Sequence, residues 1–414
     1  MSELAALKKK YESYLKAGLN LDMTRGKPGP EQLNLSMAML DNVTEKDFGK
    51  GAKDYRNYSA PTMLTGLPEM KQLFLDLFNV DGDQVIIGGN SSLNLMYDTI
   101  VRALLHPLPG DVLPWKTGKV KFLCPVPGYD RHFNICQSLD IEMINVPLTG
   151  EGPDMDVVEE LVANDPKIKG IWCVPKYSNP TGETYSDEVV KRLAKMQTAA
   201  PDFRIFWDNA YAVHDLNNVE DKLLNIFDAC KEYGHSNRVF MFASTSKVTF
   251  AGAGVSAFIS SHQNVNWFKK QMANQTIGYD KINQLRHLNF IKDIKGLKAL
   301  MAKHAEILTP KFDVVDEVLQ SELGSKGEYA TWKKPNGGYF ISYESKSGCA
   351  SKIVQMAADA GVKLTKAGAT FPYGKDPQDS NIRIAPSLPS VAELKVATEV
   401  LATITKLVIL EQSS

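Results

Sequence analysis

The chain has 414 residues, 43% of them hydrophobic and 23% charged, with a formal net charge of -1. That length can bury a large core and fits two or three domains, while the near-neutral balance excludes a global field that would draw nucleic acid or an anionic membrane. Five cysteines without a CxxC spacing argue against a disulfide framework and a structural zinc site, and no apolar run reaches the roughly 18 residues of a membrane span. The N-terminal "MSELAALKKKYESYLKAGL" lacks the apolar core of an export signal, so a reducing cytoplasm is the expected compartment.

In chain order, short apolar or β-branched runs occur at "QVIIGG" (84–89), "VKFLCPVP" (120–127), "IEMINVPL" (141–148), "KGIWCVP" (169–175), "FRIFWD" (203–208), "RVFMFAS" (238–244) and "VSAFISS" (255–261). Helical patterns such as "SLNLMYDTIVRALLHP", "DEVVKRLAKMQTAA" and "KLLNIFDACKEYG" lie between most of them. Continuous apolar strands alternating with amphipathic helices predict an α/β fold with a mostly parallel sheet covered on both faces. After about residue 290 the pattern changes to a long helix, a hairpin-like "YATWKKP" and "GGYFISYES", a helix, "VKLTKAG", "NIRIAPS" and a closing helix. The expected organisation is an N-terminal segment (1–48) packing with a small α+β domain (293–414), and a large domain (49–292) between them.

Ligands of such sheets sit beyond the carboxyl ends of the strands, so the residues after each run deserve the search. "FRIFWD" ends in Asp208 and continues as "NAY"; alone, this aspartate reads as a turn or helix cap. "KGIWCVPKYSNPTGE" leaves its strand for a turn with Asn179 at the bend. "QVIIGGNSSLNLMYD" passes through two glycines to Asn90 and Ser91 at a helix start, where free N–H groups favour an anion, although capping explains them equally well. "VKFLCPVPGYD" delivers Tyr129, either core packing or a platform for a flat ring. "FASTSKVTFAGAG" (242–254) sets Lys247 among small residues, an unusual place for a solvated cation.

Together these groups suit pyridoxal 5′-phosphate. Its aldehyde needs an amine, Lys247; its ring nitrogen needs a carboxylate that keeps it protonated, Asp208. Asn179 and Tyr211 are candidates for the phenolic oxygen. The phosphate would take the N–H groups near Asn90 and Ser91 and the Ser244 hydroxyl, and the ring would lie between Tyr129 and Ala210. The small residues around Lys247 would let the backbone approach the phosphate.

"SNPTGE", "DNAY" and "STSK", with 29 residues from Asn179 to Asp208 and 39 from Asp208 to Lys247, resemble the class I aminotransferases of fold type I. The resemblance runs from "TRGKP" to the last helix, and "MTRGKPGP" followed by "RNYSAPTMLTGLPEMKQLF" is most similar to the type Ic bacterial aspartate aminotransferases. It implies a seven-stranded sheet in the large domain and a ping-pong transfer of an amino group, most readily from L-aspartate to 2-oxoglutarate. Lys247 would form the internal aldimine, with Asp208 and Tyr211 completing the catalytic set. Arg383 of "NIRIAPS" would clamp the substrate α-carboxylate beside Asn179, with Gly26 and Arg25 lining the substrate side. Tyr58 would reach the phosphate of the neighbouring subunit in a homodimer with shared active sites; partners would be small amino and 2-oxo acids, with no nucleic acid, membrane or metal.

The sequence departs from the family pattern at Val255, eight residues after Lys247, where many members carry a phosphate-binding arginine. The loop from Tyr58 to Gly66 also runs long, and Tyr55 could substitute for Tyr58. Arg25, Lys27, Lys281 and Arg286 are open candidates for the substrate's side-chain carboxylate, and an alanine, aromatic or kynurenine aminotransferase is the alternative activity. "GAGVSA" (252–257) fits a dinucleotide fingerprint, but eight residues separate its first glycine from the Ala243 strand end and no strand-ending acid follows about 20 residues on, which disfavours a nicotinamide oxidoreductase. About 20 residues precede "LDMTRGKP", too few for the DNA-binding domain of an aminotransferase-like transcription regulator.

Overall fold

The computed structural model describes residues 3–51, 54–58, 63–110, 112–216, 220–324 and 326–412. Its strands are β1 (Leu21–Asp22), β2 (Val85–Ile87), β3 (Lys121–Val126), β4 (Glu142–Pro147), β5 (Ile168–Cys173), β6 (Arg204–Asp208), β7 (Val239–Ser244), β8 (Ser256–Ile259), β9 (Ala330–Trp332), β10 (Ile341–Ser345), β11 (Val362–Lys363) and β12 (Asn381–Ile384). Seven of them form one sheet in the order β2-β8-β7-β6-β5-β3-β4. The pairings from β7 through β4 are parallel, and β8 alone runs against its neighbours β7 and β2.

Burial explains the apolar runs. Every residue of β6 is buried because helices cover both faces of a central strand, whereas the edge strand β4 alternates between buried and exposed positions. Ile205 and Trp207 enter the core on one face of the sheet. On the other face, Phe206 joins Phe122, Trp172, Phe240 and Phe258 in an aromatic layer. Such a sheet holds its strand ends rigidly, so side chains at the tips inherit fixed positions.

Beyond Ile294 the chain builds a second unit. The 30-residue helix Ile294–Leu323 leads into an antiparallel sheet β12-β10-β9, and the helix Val391–Gln412 closes it. "VKLTKAG" does not extend that sheet: β11 pairs in parallel with β1, tying residues near the N-terminus to this unit. A third core joins Phe312, Tyr343, Ile384 and Leu401 to Tyr177 and Tyr211 from the loops beyond β5 and β6, so it spans the seam where the strand ends meet the second unit. No described helix is long and apolar enough to cross a membrane.

Candidate active site

The ends of β5, β6 and β7 converge at that seam. Asp208, the last residue of β6, is 3% exposed; its Oδ2 meets His132 Nε2 at 2.9 Å, and its buried Oδ1 has no hydrogen-bond partner. His132 lies on the buried face of helix Asp130–Ser138 and stacks on Trp172 with ring centroids 4.1 Å apart and planes 5° from parallel. The stack fixes the imidazole, and the imidazole fixes the carboxylate. Sequence reading did not single out His132; a histidine on an apolar helix face is ordinarily core, and only its position three residues after Tyr129 hinted otherwise.

Lys247 lies in the turn after β7, with its ammonium 4.9 Å from the centroid of the Tyr211 ring. Desolvation lowers its pKa below the usual lysine value, and the Asp208 charge opposes that shift only in part. Three distant side chains grip the backbone here. His214 Nε2 donates to the Lys247 carbonyl at 3.2 Å, the Tyr339 hydroxyl to the same oxygen at 3.3 Å, and His304 Nε2 to the Val248 carbonyl at 3.0 Å. Gln32 ties two of them together through Tyr339 Oη and His304 Nδ1, each at 2.9 Å. None of these four was legible as a site residue in the sequence.

Around this pair stand the other expected groups. Tyr211 is 3% exposed and its hydroxyl is held far above its ordinary pKa, by burial first and then by neighbouring Tyr129 and the negative Asp208. Burial also pushes Tyr129 up to about 12, with Asp208 and Asp130 adding to the shift. Tyr129 packs edge-on to His132 at 4.9 Å, and Ala210 lies half-buried against the core at the seam. Asn179 is 3% exposed, and its Oδ1 accepts from Arg383 Nη1 at 3.3 Å, which leaves the amide N–H groups for another acceptor. Arg383, on β12, is 6% exposed; its Nη1 donates to Asp130 at 2.9 Å, its Nε to Thr365 Oγ1 at 3.4 Å, and its guanidinium lies 4.8 Å over the Phe340 ring.

The small residues have a different first neighbour from the ligand expected of them. A Cβ on Gly254 would fall 2.9 Å from Ser246 Oγ and 3.0 Å from the Asn90 carbonyl, so Gly254 is pressed against protein. Ser244 Oγ donates to Ser246 Oγ at 3.1 Å, which donates to the Asn90 carbonyl at 2.9 Å, while the Asn90 side-chain amide reaches Gly252 O at 3.3 Å. The Lys247 turn is thus joined to the start of helix Ser92–Leu105. Ser91 caps that helix, its Oγ accepting from Leu93 N–H at 3.2 Å, so its hydroxyl serves the helix and the first-turn N–H groups are what remains for an anion.

The structure also places Gly26 and Tyr58. Gly26 was expected to approach substrate; a Cβ there would lie 2.4 Å from Phe340 Cζ, so the ring beneath Arg383 also requires its bareness. Tyr58 is 78% exposed and stands outside the cluster formed within this chain; residues 59–62 of its loop lie outside the described residues. Arg25 and Lys27 are exposed, Arg286 is half-buried, and Lys281 is 7% exposed at the first position of helix Lys281–Ile291. That helix turns Asn283 Nδ2 onto the Ala253 and Gly254 carbonyls, 3.0 Å each. Val255 is buried, and its backbone pairs with Thr245 across the β7–β8 junction. "GAGVSA" runs directly into β8 instead of opening a helix, unlike a dinucleotide loop.

The chain matches the family model described as aspartate amino-transferase over residues 1–414. It is 46% identical to an aspartate aminotransferase of Corynebacterium glutamicum over 399 residues, covering 96% of this chain and 91% of the relative. A crystal structure of an aspartate transaminase from that organism superposes with a TM-score of 0.95 at 44% identity, covering 99% of this chain and 96% of the other. The fold alone extends to an α-aminoadipate aminotransferase of Thermus thermophilus complexed with N-(5′-phosphopyridoxyl)-L-leucine, with a TM-score of 0.76 at 18% identity, covering 99% and 98%.

Proposed function

Because the chain belongs to the aspartate aminotransferase family, and is an aminotransferase of fold type I, we propose that it binds pyridoxal 5′-phosphate at Lys247 and moves the amino group of L-aspartate to 2-oxoglutarate. Aminotransferases of this fold depend on that cofactor. The observation that carries the reading is the buried, unpartnered Asp208 Oδ1 at the same strand-end site as the desolvated Lys247 amine. A carboxylate oxygen left without a partner in the interior is costly, and a protonated ring nitrogen is the donor that would satisfy it.

Bound there, the cofactor supplies an electron sink for a carbanion at the substrate Cα. Each protein group then has a task. Asp208, held by His132, would keep a proton on the ring nitrogen. Tyr129 and Ala210 would flank the ring, and Tyr211 and the Asn179 amide would donate to its phenolic oxygen. The first-turn N–H groups at Asn90 and Ser91, with the Ser244 hydroxyl, would receive the phosphate. Arg383 would bind the α-carboxylate beside Asn179, and Lys247 Nζ, with its lowered pKa, takes the proton from Cα and later returns it. Because burial lowers the amine's pKa, it gives up its proton more readily than a solvated lysine and is better suited to act as a base.

We extend the reading to a cytoplasmic homodimer divided into units 1–48, 49–292 and 293–414. The exposed Tyr58 ring suits a contact with a neighbouring subunit's phosphate, and all five cysteines are free thiols, as a reducing compartment permits. Arg25 stays on the substrate side as one of four candidates, with Lys27, Lys281 and Arg286, for the aspartate side-chain carboxylate.

The test is an absorption titration of the purified holoenzyme with L-aspartate and then with 2-oxoglutarate. A spectral change with the first that reverses with the second is expected, and Lys247→Ala should lose both the change and turnover. No response to aspartate, with a response to alanine, an aromatic amino acid or kynurenine, would overturn the donor; an intact response in Lys247→Ala would overturn the site.

A further inference from the structure

Arg383 is already engaged by a carboxylate. Its Nη1 donates to Asp130 Oδ1 at 2.9 Å, an ion pair that crosses the seam from β12 to the first residue of helix Asp130–Ser138. An aspartate in a helix's first turn has an ordinary role, complementing the dipole. Two features go beyond it. The partners are unequally placed, with the arginine side chain 6% exposed and the aspartate side chain 28% exposed. The guanidinium also has other anchors, Thr365 Oγ1, Asn179 Oδ1 and the Phe340 ring pressed on Gly26. Arg383 is therefore fixed, and Asp130 is the partner with access to water.

We propose that Asp130 is a resident competitor for Arg383, a positioning residue that occupies the guanidinium between turnovers and yields it to each incoming α-carboxylate. The inference rests on the reading that Arg383 clamps that group. A substrate carboxylate offers Arg383 the chemistry that Asp130 offers, and two carboxylates at one guanidinium repel. Every amino acid and 2-oxo acid in the reaction carries the same α-carboxylate, so Asp130 weakens substrates and products alike. That is uniform weakening of ground-state binding, which raises KM and speeds product release without touching the chemical step. The desolvated arginine meanwhile never lacks a partner when the site holds no ligand.

The experiment is a calorimetric titration of the holoenzyme with succinate, a dicarboxylate with no amino group to transfer. Asp130→Asn keeps the shape and removes the charge; it should bind succinate about tenfold more tightly, the scale of one partly screened repulsion. In steady state, its KM values for L-aspartate and 2-oxoglutarate should fall by a similar factor, with kcat unchanged or lower. Asp130→Glu retains the charge and should keep the parent's affinity. Unchanged or weaker succinate binding in folded Asp130→Asn overturns the proposal. If that variant does not fold, Asp130→Glu decides, with a tenfold gain there counting against it. Arg383→Lys separates the two layers of the argument: loss of succinate binding in it leaves the clamp standing whatever Asp130 does, and unaltered binding removes the clamp and this inference together.

Discussion

At the scale of single residues, the site works through partners two contacts away from the chemistry. Asp208 can hold a proton on a ring nitrogen only while its carboxylate is kept in one orientation. His132 supplies the orienting hydrogen bond at 2.9 Å, and its own place is set by the Trp172 stack. His132→Leu keeps the apolar packing and leaves the carboxylate's Oδ2 buried without its partner, a loss of about 1–3 kcal/mol. We expect kcat to fall by about 10-fold or more with little change in KM, because Arg383 and Asn179 are untouched, together with a lower melting temperature. Steady-state kinetics beside a thermal melt checks this, and a variant with unchanged kcat would show that His132 is packing only.

At the scale of elements, glycines mark where segments are pressed together. The "TRGKP" segment lies on Phe340, and Phe340 lies under Arg383, so an N-terminal segment sets the height of the guanidinium. Phe340 is 6% exposed and packs edge-on to Tyr211, so its ring tip cannot move aside freely. Gly26→Ala should therefore displace the platform and raise KM for both substrates by about 10-fold, with kcat falling less, since the Lys247 turn is built by other elements. An unchanged KM, measured with both substrates, would mean that the ring yields without carrying Arg383. The same logic explains "FASTSKVTFAGAG". Its small residues first let the Lys247 turn close against Asn90 and β8, and that contact brings the turn beside the start of helix Ser92–Leu105.

At the scale of the whole molecule, three buried imidazoles surround the Lys247 turn and resist protonation. Burial, helped by the Lys247 and His304 charges, pushes His214 down to about 3; burial takes His287 to about 4 and lowers His304. In the unfolded chain a histidine titrates near 6.5. Between that value and the folded ones the unfolded state binds more protons, so these groups make stability fall as pH falls. Glu183, raised to about 7 by burial, and Glu344, raised in the same direction, act in the opposite sense as they take up protons in the folded state. Comparing parent and variant isolates the histidine contribution. His214→Gln can still donate to the Lys247 carbonyl and should lose less melting temperature between pH 7 and 5 than the parent does; an equal or steeper loss would contradict the assignment.

The sequence by itself determined the alternating sheet and its strand tips, and it singled out Lys247, Asp208, Asn179 and Arg383 as candidates. Each follows from a local pattern, an apolar run that ends in a polar residue or a short motif in fixed order. What only the tertiary structure decided is which distant surfaces meet: His132 with Asp208 across 76 residues, Asp130 with Arg383 across 253, Gly26 against Phe340, and His214 and His304 on the Lys247 turn. The reason is physical. Hydrophobic periodicity states which face of an element is buried, but its partner across the interior is fixed by the packing of the whole chain.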